Sequence, residues 1–446
     1  MSARMLLFLG FLVVAAPALS QVEPAAVGGD EPPQNSLQMM VPPILNGALY
    51  ASTAGADVRQ NFFTAAVTVD SAYIDNVLPS GTLTPVADET VSISPHFNYL
   101  LSSPRQQVTL DYTPAYTFYT PTSALDSLDQ SANGAYQGRL SQSVSLALQD
   151  NFIRTSNVFN VSYPFNTGGL SGSTQPPIPA AIAPFEQQTR NTSSATLTYQ
   201  FSADGMIGGG GLFSEYRFPS QPQTSGLYNS DQTGGTVFYN RRITRRQYTG
   251  VKYEFDRYLA YPVNSQVEVQ MHLVLPFYSV FFTRTFSLSA AAGAIHADVS
   301  QTQQPAIASW SPAVVLSMGW QGDKGNVAAN FLRTEISGGG FLGAYNSTSA
   351  NISGGWKFTR SWTGDASFSY QNVEPQAVYA TLPYQGGNSL MAQVSLGRTL
   401  GDHVSIEGGY QRLHEQFGGI PIITASPNGN REFVTITYQL RKALGR

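Results

Sequence analysis

The chain has no cysteine, which excludes disulfides, thiolate metal centres and an N-terminal lipid-modified cysteine. That absence does not indicate a reducing compartment, because exported proteins also dispense with cysteine. Charge is scarce too. Asp, Glu, Lys and Arg make up 12% of the 446 residues, no more than the aromatics, and the formal net charge is only -4. A balance this small sets up no long-range field to draw in nucleic acid. Gly, Ser, Thr, Gln and Asn occupy most places where a soluble protein would carry charge. Long apolar runs are missing: beyond Met5 to Val14, nothing approaches the roughly 20 residues of a spanning helix. The five histidines, His96, His272, His296, His403 and His414, are scattered without His-x-x-x-His spacing. No Ser, His and carboxylate set converges on one predicted rim, and the Gly208 to Gly211 run lacks the Lys-Ser/Thr of a phosphate loop. The residues therefore point to a non-enzyme with no catalytic, cofactor-binding or metal-binding site.

What the sequence does have is alternation. Trp310, Pro312, Val314, Leu316, Met318 and Trp320 form an apolar ladder, while Ser311, Ala313, Val315, Ser317 and Gly319 fall on the other face. On a tilted strand the two indoles stand about 25 Å apart, the height of the apolar band between the aromatic girdles of an outer-membrane barrel. Trp310 and Trp320 are thus read as a lipid-facing girdle pair. Similar ladders run through Val108 to Phe118, Val144 to Leu148 and Leu197 to Phe201. In two others the polar face carries charge. Lys252, Glu254 and Asp256 oppose Val251, Tyr253 and Phe255, and Glu268, Gln270 and His272 oppose Val267, Val269 and Met271. With the apolar face assigned to lipid, those six polar residues become candidate lumen-facing groups.

The ladders place strands from 61–72 through 235–243, 246–258, 266–282, 309–320 and 326–336 to 431–440. This predicts an all-β protein: a transmembrane antiparallel up-and-down β-barrel of about 18 strands, with 16 as the alternative. Tight links such as Asp204-Gly205, Thr244-Arg245 and Thr359-Arg360 alternate with longer ones such as Asn157 to Thr189 and Pro219 to Gly234. Short periplasmic turns and long extracellular loops have this asymmetry, and Asp-Gly is itself a hairpin signal. Phe282-Thr-Arg-Thr-Phe286 and Phe358-Thr-Arg-Ser-Trp362 repeat one turn flanked by aromatics. Pro95, Pro114, Pro276 and Pro312 fall within these strands. There each removes a ladder donor, so they mark either bulges or wrongly drawn boundaries.

Residues 1–20 read as a cleaved secretory signal peptide, with Arg4, the apolar run and small residues up to Ser20. Residues 21–58 form a Pro/Gly-rich periplasmic segment, and 59–446 the barrel. The motifs Tyr73-Ile-Asp-Asn76, Gln149-Asp-Asn-Phe152 and Ser156-Asn-Val-Phe159 resemble the outer-membrane β-barrel porin 2 group of Gram-negative bacteria over about residues 59–446. That resemblance implies an outer-membrane location and no catalytic residue. The last strand departs from outer-membrane custom, because Val434, Ile436, Tyr438 and Leu440 are followed by Arg441 to Arg446 and not by a terminal aromatic.

The expected function is a porin-like channel for passive diffusion of small polar solutes, since barrels of 16 to 18 strands enclose water. The alternative is a non-channel scaffold, adhesin or polysaccharide-export barrel. Asn157 to Thr189 is a candidate constriction loop, and Arg241, Arg242, Arg245 and Arg246 a candidate periplasmic basic rim, with a solvated or ion-paired rim as the competing reading. Expected partners are outer-membrane lipids and lipopolysaccharide, the outer-membrane assembly machinery and the solutes, with no nucleic acid; the sequence leaves oligomeric state open.

Overall fold

A computed structural model describes residues 61–77, 85–103, 105–156, 187–219, 228–262, 265–283, 285–302, 304–337, 342–377, 386–418 and 428–443. The signal-peptide and Pro/Gly-segment readings, and nearly all of the Asn157 to Thr189 loop, lie outside the described residues. The strands are β1 (Phe62–Ile74), β2 (Asp88–Ser102), β3 (Gln106–Tyr119), β4 (Ser127–Arg139), β5 (Val144–Thr155), β6 (Gln188–Ser202), β7 (Gly205–Arg217), β8 (Ser230–Thr244) and β9 (Gln247–Ala260). They continue as β10 (Val267–Phe281), β11 (Phe286–Gln301), β12 (Ile307–Gln321), β13 (Gly325–Ser337), β14 (Ala344–Lys357), β15 (Trp362–Ala377), β16 (Gly386–Leu400), β17 (Val404–Gly418) and β18 (Asn428–Ala443).

Each strand pairs antiparallel with its neighbours in the chain, and β18 returns to β1 from Phe62↔Ala443 to Ile74↔Arg431, closing an 18-stranded up-and-down barrel. Closure removes every free edge, which is what lipid demands of a sheet. The tight links, residues 203–204 between β6 and β7 and 245–246 between β8 and β9, lie at the same end as the start of β1 and the end of β18.

Alternation sets the two faces. Val67, Val69 and Tyr73 of β1 and Val434, Ile436, Tyr438 and Leu440 of β18 are exposed, Val434 at 53% and Leu440 at 51%, while Thr64, Ala66, Ala72 and Arg431 are buried. Large apolar side chains outside and small or polar ones inside reverse the soluble pattern, as a lipid-facing wall requires. Trp310 is 68% exposed at one end of β12. Trp320, at the other end, stacks on Trp356 with ring centroids 6.1 Å apart. Gly208 and Gly210 of β7 point inward where a Cβ would overlap Phe238 and the Ala195 carbonyl, so close packing of the wall is what calls for glycine at those two positions.

The in-strand prolines lie where ladders open. The β2–β3 register passes from Ile93↔Tyr116 to Phe97↔Tyr112, which sets Pro95 opposite Pro114 and puts both missing donors in one ladder. β10 and β11 part between Val274↔Ala294 and Phe277↔Ala291, at Pro276. β12 and β13 pair from Gln321↔Asn326 only as far as Val314↔Arg333, two residues short of Pro312.

Candidate transport lumen

The interior has two unlike sides. Along β17, β18 and β1 to β4 it is lined by charge held in hydrogen bonds. Asp70 pairs with Arg431 and accepts from Thr435 Oγ1 at 2.7 Å. Arg431 also donates to Gln411 Oε1 at 2.8 Å and lies 4.8 Å over the Phe433 ring. Across the next pair, β2 and β3, Asp111 accepts from Asn98 Nδ2 at 2.5 Å and stands 3.5 Å from His96 Nε2. Asp88 takes the backbone N–H groups of Thr120 and Thr122 at 3.1 Å, and Asp129 takes that of Ser156 at 2.8 Å. These carboxylates tie the extracellular connections to the inner wall.

Halfway round the barrel the inner surface is apolar. Phe238, Tyr258, Val267, Val269, Met271 and Leu275 pack with Ile295, Ala297, Val299 and Ala313. Lys252, Glu254 and Asp256 project inward at the edge of this region, with Lys252 paired to Glu254 and Asp256 accepting from Gln232 Nε2 at 3.3 Å.

Glu268, Gln270 and His272 do not join them, which corrects the sequence expectation. Register places Met271 beside Asp256 and His272 beside Phe255, so Val267, Val269 and Met271 fill the interior and the polar trio faces outward. There Glu268 receives both Arg257 Nε and Nη2, at 2.8 and 3.2 Å, and His272 Nδ1 lies 2.8 Å from the Tyr253 hydroxyl. The reason is height. The same outward face of β10 becomes Val274, Pro276 and Tyr278 farther down, where hydrocarbon begins, whereas Glu268 to His272 stand in the headgroup layer beside Trp310. The ion pairs of Arg217 with Glu215 and Asp231, each 2.7 Å, extend this outer polar belt. Tyr261, in the connection after β9, donates to Asp231 Oδ2 at 2.8 Å. Burial and that carboxylate raise its pKa above the usual phenol value.

The four arginines do not form one ring either. Arg241 and Arg242 are consecutive on β8 and project to opposite faces. Arg242 Nη2 pairs with Asp204 Oδ1 at 2.7 Å, and Arg246 Nη1 donates to the Phe282 carbonyl at 3.2 Å. Arg245 sits in the turn between β8 and β9. Asp70–Arg431 and His96–Asp111 were missed in the sequence because their partners meet only across strand pairs, Asp70–Arg431 across the closing seam. The available signal was a polar residue in step with a small one on an otherwise apolar ladder.

No family model matches the chain, and no curated protein matches it in sequence. Among solved structures it is similar to OccK2 (OpdF) of Pseudomonas aeruginosa, at 12% identity and TM-score 0.41, covering 85% of this chain and 98% of that one. It is also similar to OpdK of Pseudomonas aeruginosa with vanillate, at 10% identity and TM-score 0.40, covering 85% and 99%. OccAB4 of Acinetobacter baumannii aligns at 10% identity and TM-score 0.41, covering 87% and 100%.

Proposed function

We propose that the protein is an outer-membrane channel through which small polar solutes diffuse passively. One observation carries this reading: a closed 18-stranded barrel with exposed apolar side chains outside and charges, amides and hydroxyls along much of its inner wall. A wall of that polarity suits water inside and lipid outside. On this reading residues 1–20 are the export signal, residues 21–58 the periplasmic lead-in, and the outer polar belt meets lipopolysaccharide. The outer-membrane assembly machinery inserts the chain, and the porin 2 group is the family to which it is referred. Charged groups belong to binding and steering, and no residue is given a catalytic role. Reconstitution into planar bilayers tests the proposal. Discrete ion steps are expected, together with swelling of liposomes in small sugars; a folded protein that gives neither refutes it.

The apolar inner side supports a second reading, a barrel that is closed in its resting state and serves as a scaffold or export partner. Liposomes impermeable to every sugar would favour it.

A further inference from the structure

The extracellular end of β13 and β14 parts from β12 while staying joined to β15. Above Val314 the β12–β13 ladder stops, while β13 stays paired to β14 up to Ser337↔Ala344. Side chains that register assigns to the outer face of this hairpin nevertheless touch the inner face of its neighbours. Glu335, in step with outward Phe331, accepts from Ser311 Oγ at 2.8 Å and from Ser309 Oγ at 3.5 Å, both on the inner face of β12. Ala344 joins Val299, Ala297 and Ala313 of the inner wall, and Leu342 packs there with it. Behind the hairpin β15 reaches β12 directly, with Gln376 Nε2 donating to the Trp310 carbonyl at 3.3 Å. The described end of the hairpin therefore overlaps the inner face of β12, while β14 stays paired to β15 up to Ala344↔Ala377.

Pro312 accounts for the parting. Alternate residues of a strand point their backbone groups at the same neighbour. The Trp310 carbonyl faces the β13 side, where Gln376 takes it, so Pro312 faces that side too. Having no N–H, it offers β13 nothing to pair with where the ladder would otherwise continue.

We propose that the inward end of the β13–β14 hairpin is the channel's constriction and sets the size limit for solutes, with Glu335 on Ser311 as its latch and Pro312 as the residue that keeps it unpaired from β12. Tyr345, fully buried with its hydroxyl donated to the Leu342 carbonyl at 2.8 Å, stiffens the arm. The inference rests on the channel reading but has a test that does not. Because the chain lacks cysteine, Leu342→Cys supplies a unique thiol. It is expected to react slowly with a water-soluble maleimide in the folded protein, and at least about tenfold faster when Glu335→Ala or Pro312→Ala is added, as local opening governs access to a buried group. In planar bilayers the same substitutions, without the cysteine, are expected to raise unit conductance about twofold or more, because the narrowest section dominates pore resistance. A heat-modifiability gel confirms folding of each variant. Equal labelling rates with and without the latch overturn the inference, whatever the bilayer shows. Conducting wild-type protein whose latch variants give identical steps overturns it and leaves the channel reading standing. Silence from folded wild type and variants alike overturns the constriction and the channel reading together. Silent wild type with conducting latch variants supports the constriction and identifies the arm as a plug.

Discussion

The two halves of the barrel use one alternation rule to opposite ends. On the arc through β17, β18, β1 and β2, exposed apolar residues such as Val67, Val69, Val91, Phe97, Val434, Ile436 and Tyr438 face lipid, and the inner positions hold Asp70, Arg431, Gln411 and Thr435 in mutual hydrogen bonds. Across the barrel, β10 and β11 put their apolar residues inside and carry Glu268, Gln270, His272, His296 and Asp298 outside at the extracellular end. Polarity alone thus does not assign a face. Height in the membrane and what lies against the inner face decide it together: the arc lined by Asp70 and Arg431 is polar within, and the arc on which Leu342 and Ala344 pack is apolar within.

The largest test of this contrast is to charge the inner apolar side. Val269 is fully buried among Tyr258, Met271 and Ile295, so Val269→Asp is expected to lose about 4 kcal/mol or more, or to fail to assemble, as an unpaired charge in a packed site does. Urea unfolding followed by heat-modifiability reads this out. A fully stable Val269→Asp barrel would mean that position 269 sees water or headgroups, and the two arcs would cease to differ.

On the charged arc the corresponding change removes a partner from a buried pair. Among the described residues Arg431→Ala leaves Asp70 with the Thr435 hydroxyl as its side-chain partner, and the expected loss is about 3 kcal/mol. Asp70→Asn combined with Arg431→Met restores neutrality and is expected to recover most of that loss. Should the double variant be no better than Arg431→Ala alone, the seam between β1 and β18 would depend on side-chain shape more than on charge balance.

Strand number, order and the short-long rhythm of connections were legible because period-two patterning and turn chemistry are local. The ladder Val434 to Leu440 or the turn at Asp204 needs no tertiary information. The Trp310 to Trp320 segment was legible as one strand for the same reason, and it is β12. The face of β10 was not, because Val267, Val269 and Met271 read identically whether they meet lipid or an apolar inner cluster. Pro312 was visible as an anomaly, but its consequence depends on which neighbour its missing N–H would have met, and that is a property of the assembled sheet. Asp70 and Arg431 are separated by nearly the whole barrel sequence and meet only on closure.

The smallest effect is also the sharpest comparison, since it sets two carboxylates from adjacent strands against each other. Glu254 projects into the interior beside Lys252, and Glu268 projects outward to Arg257. An amide in place of either carboxylate can still accept from Lys252 or Arg257, so Glu254→Gln and Glu268→Gln are each expected to cost no more than about 1 kcal/mol of unfolding free energy. Their effect on ions should differ. Removing a negative charge from the lumen, and freeing Lys252, is expected to shift the reversal potential in a salt gradient toward anion preference, whereas the same change on the outer belt leaves it unmoved because the charge is separated from the permeating ion by the wall. Equal shifts from both would return Glu268 to the lumen and reverse the face of β10. No shift from either would place the ion path on the charged arc near Asp111, away from β9, and Asp111→Asn would then be the substitution that moves it.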